Sequence, residues 1–179
     1  PLIDPDKTTP PANLPIHPYL LGVLLGDGSI SGSSVSYYKP DSGLRERVSK
    51  CVPKGHVISI PSETAIDPHR TGIIKGPDFD PNKHTSIQDL LRELKLHGTS
   101  TFTKFIPECY KLASHGQRLR LLQGLMDTDG TAEKGGNTYY STSNEQLAND
   151  VLYLARSLGN IARIKKEQKY YTHKGERKP

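Results

Sequence analysis

The nonapeptides LLGVLLGDG (residues 20–28) and LQGLMDTDG (residues 122–130) decide the fold of this chain. Each is an apolar run with an embedded glycine, and each closes in Asp-Gly, so that Asp27 and Asp129 lie 102 residues apart. A pair of adjacent tyrosines repeats at the same offset, at residues 37–38 and 139–140. Self-similarity at a fixed spacing is typical of a duplicated structural unit, which is what we expect here.

Both nonapeptides are predicted to be helices that pack against each other. Gly22 and Gly26 lie four residues apart, so on a helix they share one face. Gly124 and Thr128 repeat this spacing in the second nonapeptide. Small residues on facing surfaces let two backbones approach closely, whereas short apolar runs interrupted by Asp do not fit a membrane span. The pattern therefore predicts a buried seam between two helices.

The two aspartates are expected at the carboxyl ends of these helices, because Gly28 and Gly130 follow them and glycine commonly ends a helix with positive φ. The macrodipole makes that end negative already, so a carboxylate is disfavoured there. If the helices pack, Asp27 and Asp129 repel each other by on the order of 3 kcal/mol, at roughly 5 Å and an effective dielectric of about 20. A neutralising cation is therefore expected, and hard oxygen ligands beside a phosphate favour Mg²⁺.

Local patterns predict the elements between and after the nonapeptides. Strands are expected in SISGSSVSYYKP (residues 29–40), HVISIPS (56–62), TGIIK (71–75) and IARIKKEQKYY (161–171). Helices are expected in LRERVSKCV (44–52), SIQDLLRELKL (86–96) and EQLANDVLYLARSLG (145–159). The five prolines within residues 5–18 leave no room for regular structure before the first nonapeptide, which favours a linker.

The two nonapeptides resemble the LAGLIDADG motifs of homing endonucleases, in the single-chain form that carries two motifs. KFIPECY (residues 104–110), followed by RLRLLQGLMDTDG (residues 118–130), is similar to the block before the second motif in endonucleases embedded in inteins. SLG (residues 157–159), after a helix that contains LANDV, is similar to a later block of the same class. Together these segments cover most of the chain.

This resemblance implies an α+β fold in which an αββαββα unit is duplicated with pseudo-twofold symmetry and two antiparallel sheets form a saddle over double-stranded DNA. The expected organisation is a proline-rich linker or junction in residues 1–18, a first repeat in residues 19–114 and a second repeat in residues 115–179. Lys104 lies 77 residues after Asp27, and the matching position after Asp129 falls beyond the sequence. The second repeat is therefore expected to be truncated at its C-terminal end.

The family mechanism implies roles for individual residues. Asp27 and Asp129 would bind divalent ions beneath the two scissile phosphates, with backbone carbonyls at Gly26 and Thr128 completing the shell. The ions are expected to be two or more Mg²⁺, with Mn²⁺ as a substitute, which activate a water and stabilise the leaving oxygen. Lys104 matches the basic residue that assists near one metal-bound water. The alternative for Lys104 is a surface lysine before a turn.

The charge of the chain favours an anionic partner such as DNA. Lys and Arg number 24 against 19 Asp and Glu, which gives a net charge of +5 and a pI near 9.1. Seven of the basic residues lie in residues 163–179, where the alternative is a solvated tail. Candidate DNA contacts are Tyr37, Lys39, Tyr139, Arg163, Lys165, Lys166 and Lys169. Strand tyrosines are as often half-buried packing, so that alternative stays open for them.

Other features bear on the setting of the protein. Cys51 and Cys109 form no zinc or disulfide pattern, and no signal sequence or long apolar run is present, so we expect an intracellular protein (cytoplasm or nucleoid) without a membrane partner. The single-chain form that the resemblance implies is expected to be a monomer. An intein needs a nucleophilic first residue and a His-Asn pair at its end, whereas this sequence has Pro1 and Pro179. A host intein splicing domain is therefore an expected partner in cis.

Three functions remain open from the sequence. The first is a site-specific, Mg²⁺-dependent endonuclease that makes a double-strand break. The second is a DNA-binding module that has lost cleavage. The third is a structural insert that serves only the folding or assembly of a host intein. Retention of both aspartates and of Lys104 favours the first, because acids that destabilise the bare fold would otherwise be expected to drift.

Overall fold

Six helices and eight short strands make up the regular structure of the described residues. The computed structural model describes residues 9–62, 64–167, 171–173 and 176–178, the last two ranges as backbone alone. The helices are α1 (Pro18–Asp27), α2 (Ser42–Ser49), α3 (Ile87–Glu93), α4 (Glu108–Lys111), α5 (His115–Asp129) and α6 (Glu145–Ser157). The strands are β1 (Gly28–Ser29), β2 (Val35–Tyr38), β3 (His56–Ser59), β4 (Arg70–Lys75), β5 (Gly130–Ala132), β6 (Thr138–Tyr140), β7 (Tyr171–His173) and β8 (Glu176–Lys178).

The order of the elements begins twice in the same way. The first run is α1, β1, β2, α2, β3, β4, α3, and the second, after α4, is α5, β5, β6, α6, β7, β8. All strand pairs are antiparallel: β1-β2-β4-β3 form one sheet, and β5-β6 and β7-β8 form two-stranded sheets. The fold is therefore mixed α+β with antiparallel sheets. The duplicated saddle, and the expected boundaries at residues 18/19 and 114/115, stay predictions.

The predicted helix seam is confirmed. Eight of the ten residues of α1 are buried, so this helix lies at the centre of the core. A Cβ added to Gly22 would lie 2.3 Å from the Leu121 carbonyl oxygen, and one added to Gly124 would lie 2.2 Å from the Tyr19 carbonyl oxygen. The backbones of α1 and α5 therefore touch, and only glycine fits between them.

The two seam helices run parallel, with their carboxyl ends side by side. Gly22 lies against Gly124, and one turn later Gly26 lies against Thr128, so contacts advance in the same direction along both helices.

Pro18 starts α1 at a position where its missing N–H costs nothing. Ser114 and Gln117 start α5 with a reciprocal capping box.

The prediction that Gly28 and Gly130 end the helices with positive φ is wrong. Their φ values are −90° and −85°, which is extended backbone open to any residue. Space explains these glycines instead. A Cβ on Gly28 would lie 2.3 Å from the Leu24 carbonyl oxygen, and a Cβ on Gly130 would lie 2.3 Å from the Met126 carbonyl oxygen. The chain turns so closely past the last helical turn that no side chain fits.

The strand predicted from residue 161 is also wrong for the part that is described. Residues 161–167 have no regular structure and are mostly exposed, and residues 168–170 lie outside the described residues. A strand is stable only where a neighbouring strand pairs with it, and within the described residues no strand pairs with this segment. The helices expected from residues 44, 86 and 145 and the strands within residues 56–62 and 71–75 are confirmed.

The described part of the proline-rich start, residues 9–17, is irregular, as expected, but it packs against the helices. Ile16 is fully buried, and its backbone N–H and carbonyl both bond the Tyr110 hydroxyl, at 2.9 and 2.7 Å. The Ala12 backbone exchanges hydrogen bonds with the Gln117 side chain. Within residues 9–17 the chain is therefore docked rather than free. Separately, none of the helices in the described part of the chain is long and apolar enough to cross a bilayer.

Candidate active site

Two carboxylates meet where the seam helices end. Asp27 is the last residue of α1 and Asp129 is the last residue of α5, as the sequence predicts, and both are half-buried. A Cβ added to Gly26, next to Asp27, would lie 3.1 Å from the Asp129 Oδ2 atom, so the second carboxylate reaches across the seam to the end of α1. Among the described residues neither carboxylate has a hydrogen-bond or salt-bridge partner. The pair concentrates negative charge without a direct partner in the described part of the protein.

Electrostatics at the pair disfavours its charged form. Burial, followed by the negative charge of Asp129, raises the pKa of Asp27 above its ordinary value. Burial likewise raises the pKa of Asp129. Lys39 and Lys104 act in the opposite direction on both groups, but they do not cancel the effect. An added cation would relieve this cost, because it stabilises both carboxylates at once.

Lys104 lies at the same place, and it is not a surface lysine. The residue is only 3% exposed, and its ammonium donates to the carbonyl oxygens of Leu24 at 2.8 Å and Gly28 at 2.7 Å. The Gly26 carbonyl oxygen is a more distant third acceptor at 3.5 Å. Leu24 and Gly26 lie in the last turn of α1, where the helix has no N–H groups left to pair with the carbonyls, and Gly28 follows the helix directly. The ammonium therefore caps α1 at its negative end.

Burial lowers the pKa of Lys104 to about 8, and the nearby charges of Asp129 and Asp27 oppose that shift. The lysine is thus a cation close to the acid pair whose charge is held by backbone carbonyls rather than by an ion pair. Its catalytic role stays a prediction. The geometry rejects only the alternative of an exposed lysine before a turn.

Gly26 and Thr128, the expected carbonyl ligands of the metal, face each other across the seam. The Thr128 hydroxyl is buried, donates to the Leu125 carbonyl oxygen at 2.9 Å, and occupies the space that a Gly26 side chain would need. The Gly26 carbonyl oxygen already accepts the long bond from Lys104. Metal binding by either carbonyl stays a prediction.

Lys39, predicted as a DNA contact, lies beside the acid pair. It follows β2 directly, and the pairing of Tyr37 with Gly28 brings the end of β2 alongside the end of α1. Its charge acts on both Asp27 and Asp129, and its side chain is partly exposed. Lys39 is therefore a second cation at the site, on the side open to solvent.

The donor atoms fit Mg²⁺ better than they fit an ion that needs a full protein cage. Within the described residues no cluster of three or more His, Cys, Asp and Glu side chains is able to hold a metal. Mg²⁺ is usually bound by one or two carboxylates together with water and phosphate oxygens. Two unpaired carboxylates at an edge open to solvent match that pattern.

Tyr37 is a correction to the predicted DNA surface. Its side chain is fully buried in the core, because alternate residues of β2 face the helices, and it cannot contact DNA in this fold. The next residue, Tyr38, is 39% exposed and points to the other side of the sheet.

The structural equivalent of Tyr37 in the second half is Tyr140, although the sequence offset suggested Tyr139. Gly28 pairs with Tyr37, nine residues on, whereas Gly130 pairs with Tyr140, ten residues on. The connection between β5 and β6 is therefore one residue longer. Both Tyr37 and Tyr140 bury their hydroxyls, and burial followed by the charge of Asp129 raises the pKa of Tyr140.

The remaining predicted DNA contacts are Tyr139 and four basic residues near the end of the chain. Tyr139 is 48% exposed. The pKa of Lys165 is raised mainly by Glu167 and to a lesser degree by Tyr139, so the structure brings Tyr139 and Lys165 together. Exposed and outside regular structure are Arg163, Lys165 and Lys166. The two lysines pair with acids, Lys165 with Glu167 at 2.5 Å and Lys166 with Glu145 at 2.8 Å. Lys169 lies outside the described residues.

Sequence reasoning missed Arg70. It starts β4 opposite Tyr38, and its guanidinium donates to the hydroxyls of Ser36 at 3.0 Å and Ser34 at 2.5 Å. These bonds hold an arginine on the outer face of the four-stranded sheet, beside the exposed Tyr38. The sequence contains a signal for this residue, because Arg70 is a basic residue directly before the predicted strand TGIIK. Neighbouring residues of a strand face opposite sides of the sheet, so Arg70 faces outward where Thr71 is buried.

Comparison with known proteins points in the same direction as the geometry. Residues 116–178 match the family model described as a LAGLIDADG-like domain, a range that begins in α5 and includes the second nonapeptide. Two curated relatives are both named replicative DNA helicase DnaB. The one from Mycobacterium intracellulare is 30% identical over 144 residues, and the one from Rhodothermus marinus is 28% identical over 155 residues.

These alignments cover 80% and 82% of this chain but only 19% and 16% of the helicases, so the chain spans less than a fifth of the length of those relatives. Residues 116–178 are therefore similar to a LAGLIDADG-like domain, and this similarity supports a relation of the chain to the LAGLIDADG homing endonuclease family.

Proposed function

We propose that this chain is a site-specific double-strand DNA endonuclease, the homing endonuclease of an intein, which hydrolyses phosphodiester bonds with divalent metal ions. The observation that carries the proposal is the meeting of Asp27 and Asp129, unpaired within the described structure, at the adjacent ends of two parallel helices. Two carboxylates in that position cost free energy unless a cation joins them. A fold that retains such a cost is best explained by a function of the acids.

The residues divide the chemical work. Asp27 and Asp129 would hold Mg²⁺, or Mn²⁺ in its place, between the protein and a phosphate. When bound, such ions lower the pKa of an attacking water and stabilise the leaving oxygen. Lys104 holds the end of α1 and contributes positive charge behind the acids. Lys39 offers a charge on the solvent side, where it would stabilise the negative charge that develops on the phosphate.

DNA is the partner that the surrounding surface favours. The outer face of the four-stranded sheet carries Arg70 and the exposed Tyr38, and the second half carries Tyr139 with Lys165 nearby. An antiparallel pair of strands fits the major groove, where Arg reads guanine and other side chains contact base edges. We therefore propose that both sheets face one duplex, which a monomer would grip on either side of the acid pair.

The relatives support an intein setting. Both are far longer than this chain, and each matches it over less than a fifth of its length. The sequence contains no Gly-x₄-Gly-Lys-Ser/Thr pattern, the loop that binds nucleotide in P-loop motors. A segment without that loop, shared by two helicases, is what an insertion into a helicase gene would produce. The host splicing domain would then be the partner in cis.

A second candidate is a DNA-binding module that no longer cuts. The specific observation in its favour is the burial of Lys104, whose ammonium already bonds two carbonyls at 2.7–2.8 Å. A lysine held in this way serves the end of α1 first. A role confined to the folding of a host intein is the third candidate, and it predicts neither DNA binding nor cleavage.

The test is cleavage of a plasmid that carries an uninterrupted replicative helicase gene, with Mg²⁺ and with EDTA. Asp27→Asn and Asp129→Asn should each abolish cutting and leave DNA binding intact. Asp127→Asn is the matched control, because this acid lies on the same helix turn but bonds Tyr19 and Arg47 instead of facing Asp27. Unchanged cutting by either active-site variant would reject the proposed site. Binding without cutting by the native chain would favour the second candidate.

A further inference from the structure

The segment that carries Lys104 has no regular structure of its own. Residues 100–106 lie between α3 and α4 as a turn followed by irregular chain. Within the segment, the carbonyl of Ser100 accepts hydrogen bonds from the backbone N–H groups of Thr103 and Lys104. That single turn does not fix where the Lys104 side chain points. Other parts of the protein must therefore hold the segment against α1.

Asn144, the residue before α6, provides two of these anchors. It is 2% exposed, and its side-chain amide donates to the carbonyl oxygens of Lys104 at 2.7 Å and Thr101 at 3.1 Å. Its side-chain oxygen accepts from the Leu147 backbone N–H at 3.1 Å, which caps α6. One side chain thus ties the start of α6 to both sides of the turn that presents Lys104.

Asp150, two turns into α6, provides the third anchor. It is 4% exposed and accepts from the Ile106 backbone N–H at 2.8 Å and from the Lys111 ammonium at 3.0 Å. The Gln146 amide donates to the same carboxylate at 3.1 Å. The carboxylate therefore fixes the chain two residues beyond Lys104 and stays paired inside the protein.

We propose that Asn144 and Asp150 are positioning residues that hold Lys104 beside the acid pair. The proposal rests on the endonuclease function proposed above. Lys104 precedes the second nonapeptide in sequence, but α6, which follows that nonapeptide, holds it in place. The two halves of the chain are then coupled, because α6 of the second half sets the geometry at the end of α1 in the first.

The critical variant is Asn144→Ser, since serine still caps a helix but has a single O–H and cannot donate to both carbonyls. Asn149→Ser is the matched control: it makes the same change on the exposed face of α6, where the amide bonds only the Glu145 carbonyl. Asp150→Asn is a second variant, which removes the charge that pairs with Lys111. Thermal unfolding of each variant verifies that α6 is still formed.

Two readouts are needed. The first is modification of lysine amines followed by mass spectrometry, with the exposed Lys134 as internal reference. Lys104 should be protected in the native chain and in Asn149→Ser, and its labelling should rise about tenfold in Asn144→Ser. The second is single-turnover cleavage, which should fall about ten- to a hundredfold in Asn144→Ser with no change in the Kd for DNA, as expected for a small displacement of a reacting group.

The outcomes separate this proposal from the proposed function. Lys104 labelling that does not change in Asn144→Ser overturns the positioning role, whether or not the native chain cuts DNA. Increased labelling with undiminished cleavage overturns the link to the reaction. Failure of the native chain to cut any target rejects the endonuclease function, and labelling alone then decides whether Asn144 positions Lys104.

Discussion

Removing one charge from the acid pair should stabilise the metal-free protein. Two carboxylates at roughly 5 Å repel by about 3 kcal/mol at an effective dielectric of about 20. Because Asp27 and Asp129 are only half-buried, and Lys39 and Lys104 are nearby, solvent and these cations reduce that value. We expect Asp27→Asn or Asp129→Asn to raise the free energy of unfolding at pH 7.5 in EDTA by about 1 kcal/mol, or Tm by about 2–4 °C.

The sign of the pH dependence follows from the pKa shifts of the pair. Both pKa values are raised in the folded protein, so the folded state holds these protons more tightly than the unfolded chain does. Stability therefore falls as pH rises through the raised pKa values, and the full cost is present at neutral pH. The difference in stability between each Asn variant and the native chain should grow from pH 4 to pH 7.5. The other carboxylates titrate in both proteins and cancel in the difference.

The assay is urea or thermal unfolding across that pH range, with and without Mg²⁺. Mg²⁺ should stabilise the native chain and have less effect on the variants, because an ion that binds only the folded state adds about 2.7 kcal/mol at a hundred times its Kd. Asp127→Asn is the control, and it should lower stability because it loses its ion pair with Arg47 at 3.2 Å. Lower stability of both active-site variants than of the native chain at pH 7.5 without metal would contradict repulsion between the two carboxylates.

Three further predictions follow from particular contacts. Gly124→Ala should destabilise the fold by at least about 3 kcal/mol in urea unfolding, because its Cβ would meet backbone across the seam. Gly116→Ala, whose Cβ would have nothing within 4 Å, should stabilise the fold by about 0.5–1 kcal/mol. Equal effects of the two variants would contradict the seam. Lys39→Gln should slow single-turnover cleavage at least about tenfold, with little change in DNA binding, and an unchanged rate would remove Lys39 from the site. Burial is the main cause that lowers the pKa of His56, and its ring accepts a hydrogen bond from the Ile87 N–H. Native stability should therefore fall as the pH drops below 6.5, and His56→Gln should lessen that fall. A variant with the same pH dependence as the native chain would exclude this histidine as the cause.

The seam and the position of the acids were predictable because they depend on short-range rules. Glycines four residues apart define a helix face, and Asp-Gly marks a helix end, so the nonapeptides place Gly22 against Gly124 and bring Asp27 to Asp129. The reason for Gly28 was not predictable in the same way. A sequence indicates that glycine is needed but does not distinguish a need for positive φ from a need for space, and here the need is space.

Contacts between distant segments account for the other differences. Lys104 bonds carbonyls about 80 residues away in sequence, and no local pattern reveals that a lysine will end a helix from outside it. Tyr37 and Tyr139 match in sequence offset but not in register, because the second hairpin is one residue longer. Residues 161–167 have no partner strand among the described residues and so do not form a strand. Each of these outcomes is set by tertiary pairing, which composition and periodicity do not encode.

We propose that Asp27 and Asp129 together hold the divalent ions at the DNA. Electron paramagnetic resonance of Mn²⁺ added to the chain bound to duplex DNA tests it most directly. We expect bound Mn²⁺ in the native chain and in Asp127→Asn, and its loss in both Asp27→Asn and Asp129→Asn. Undiminished Mn²⁺ binding by either of the last two variants would contradict the claim.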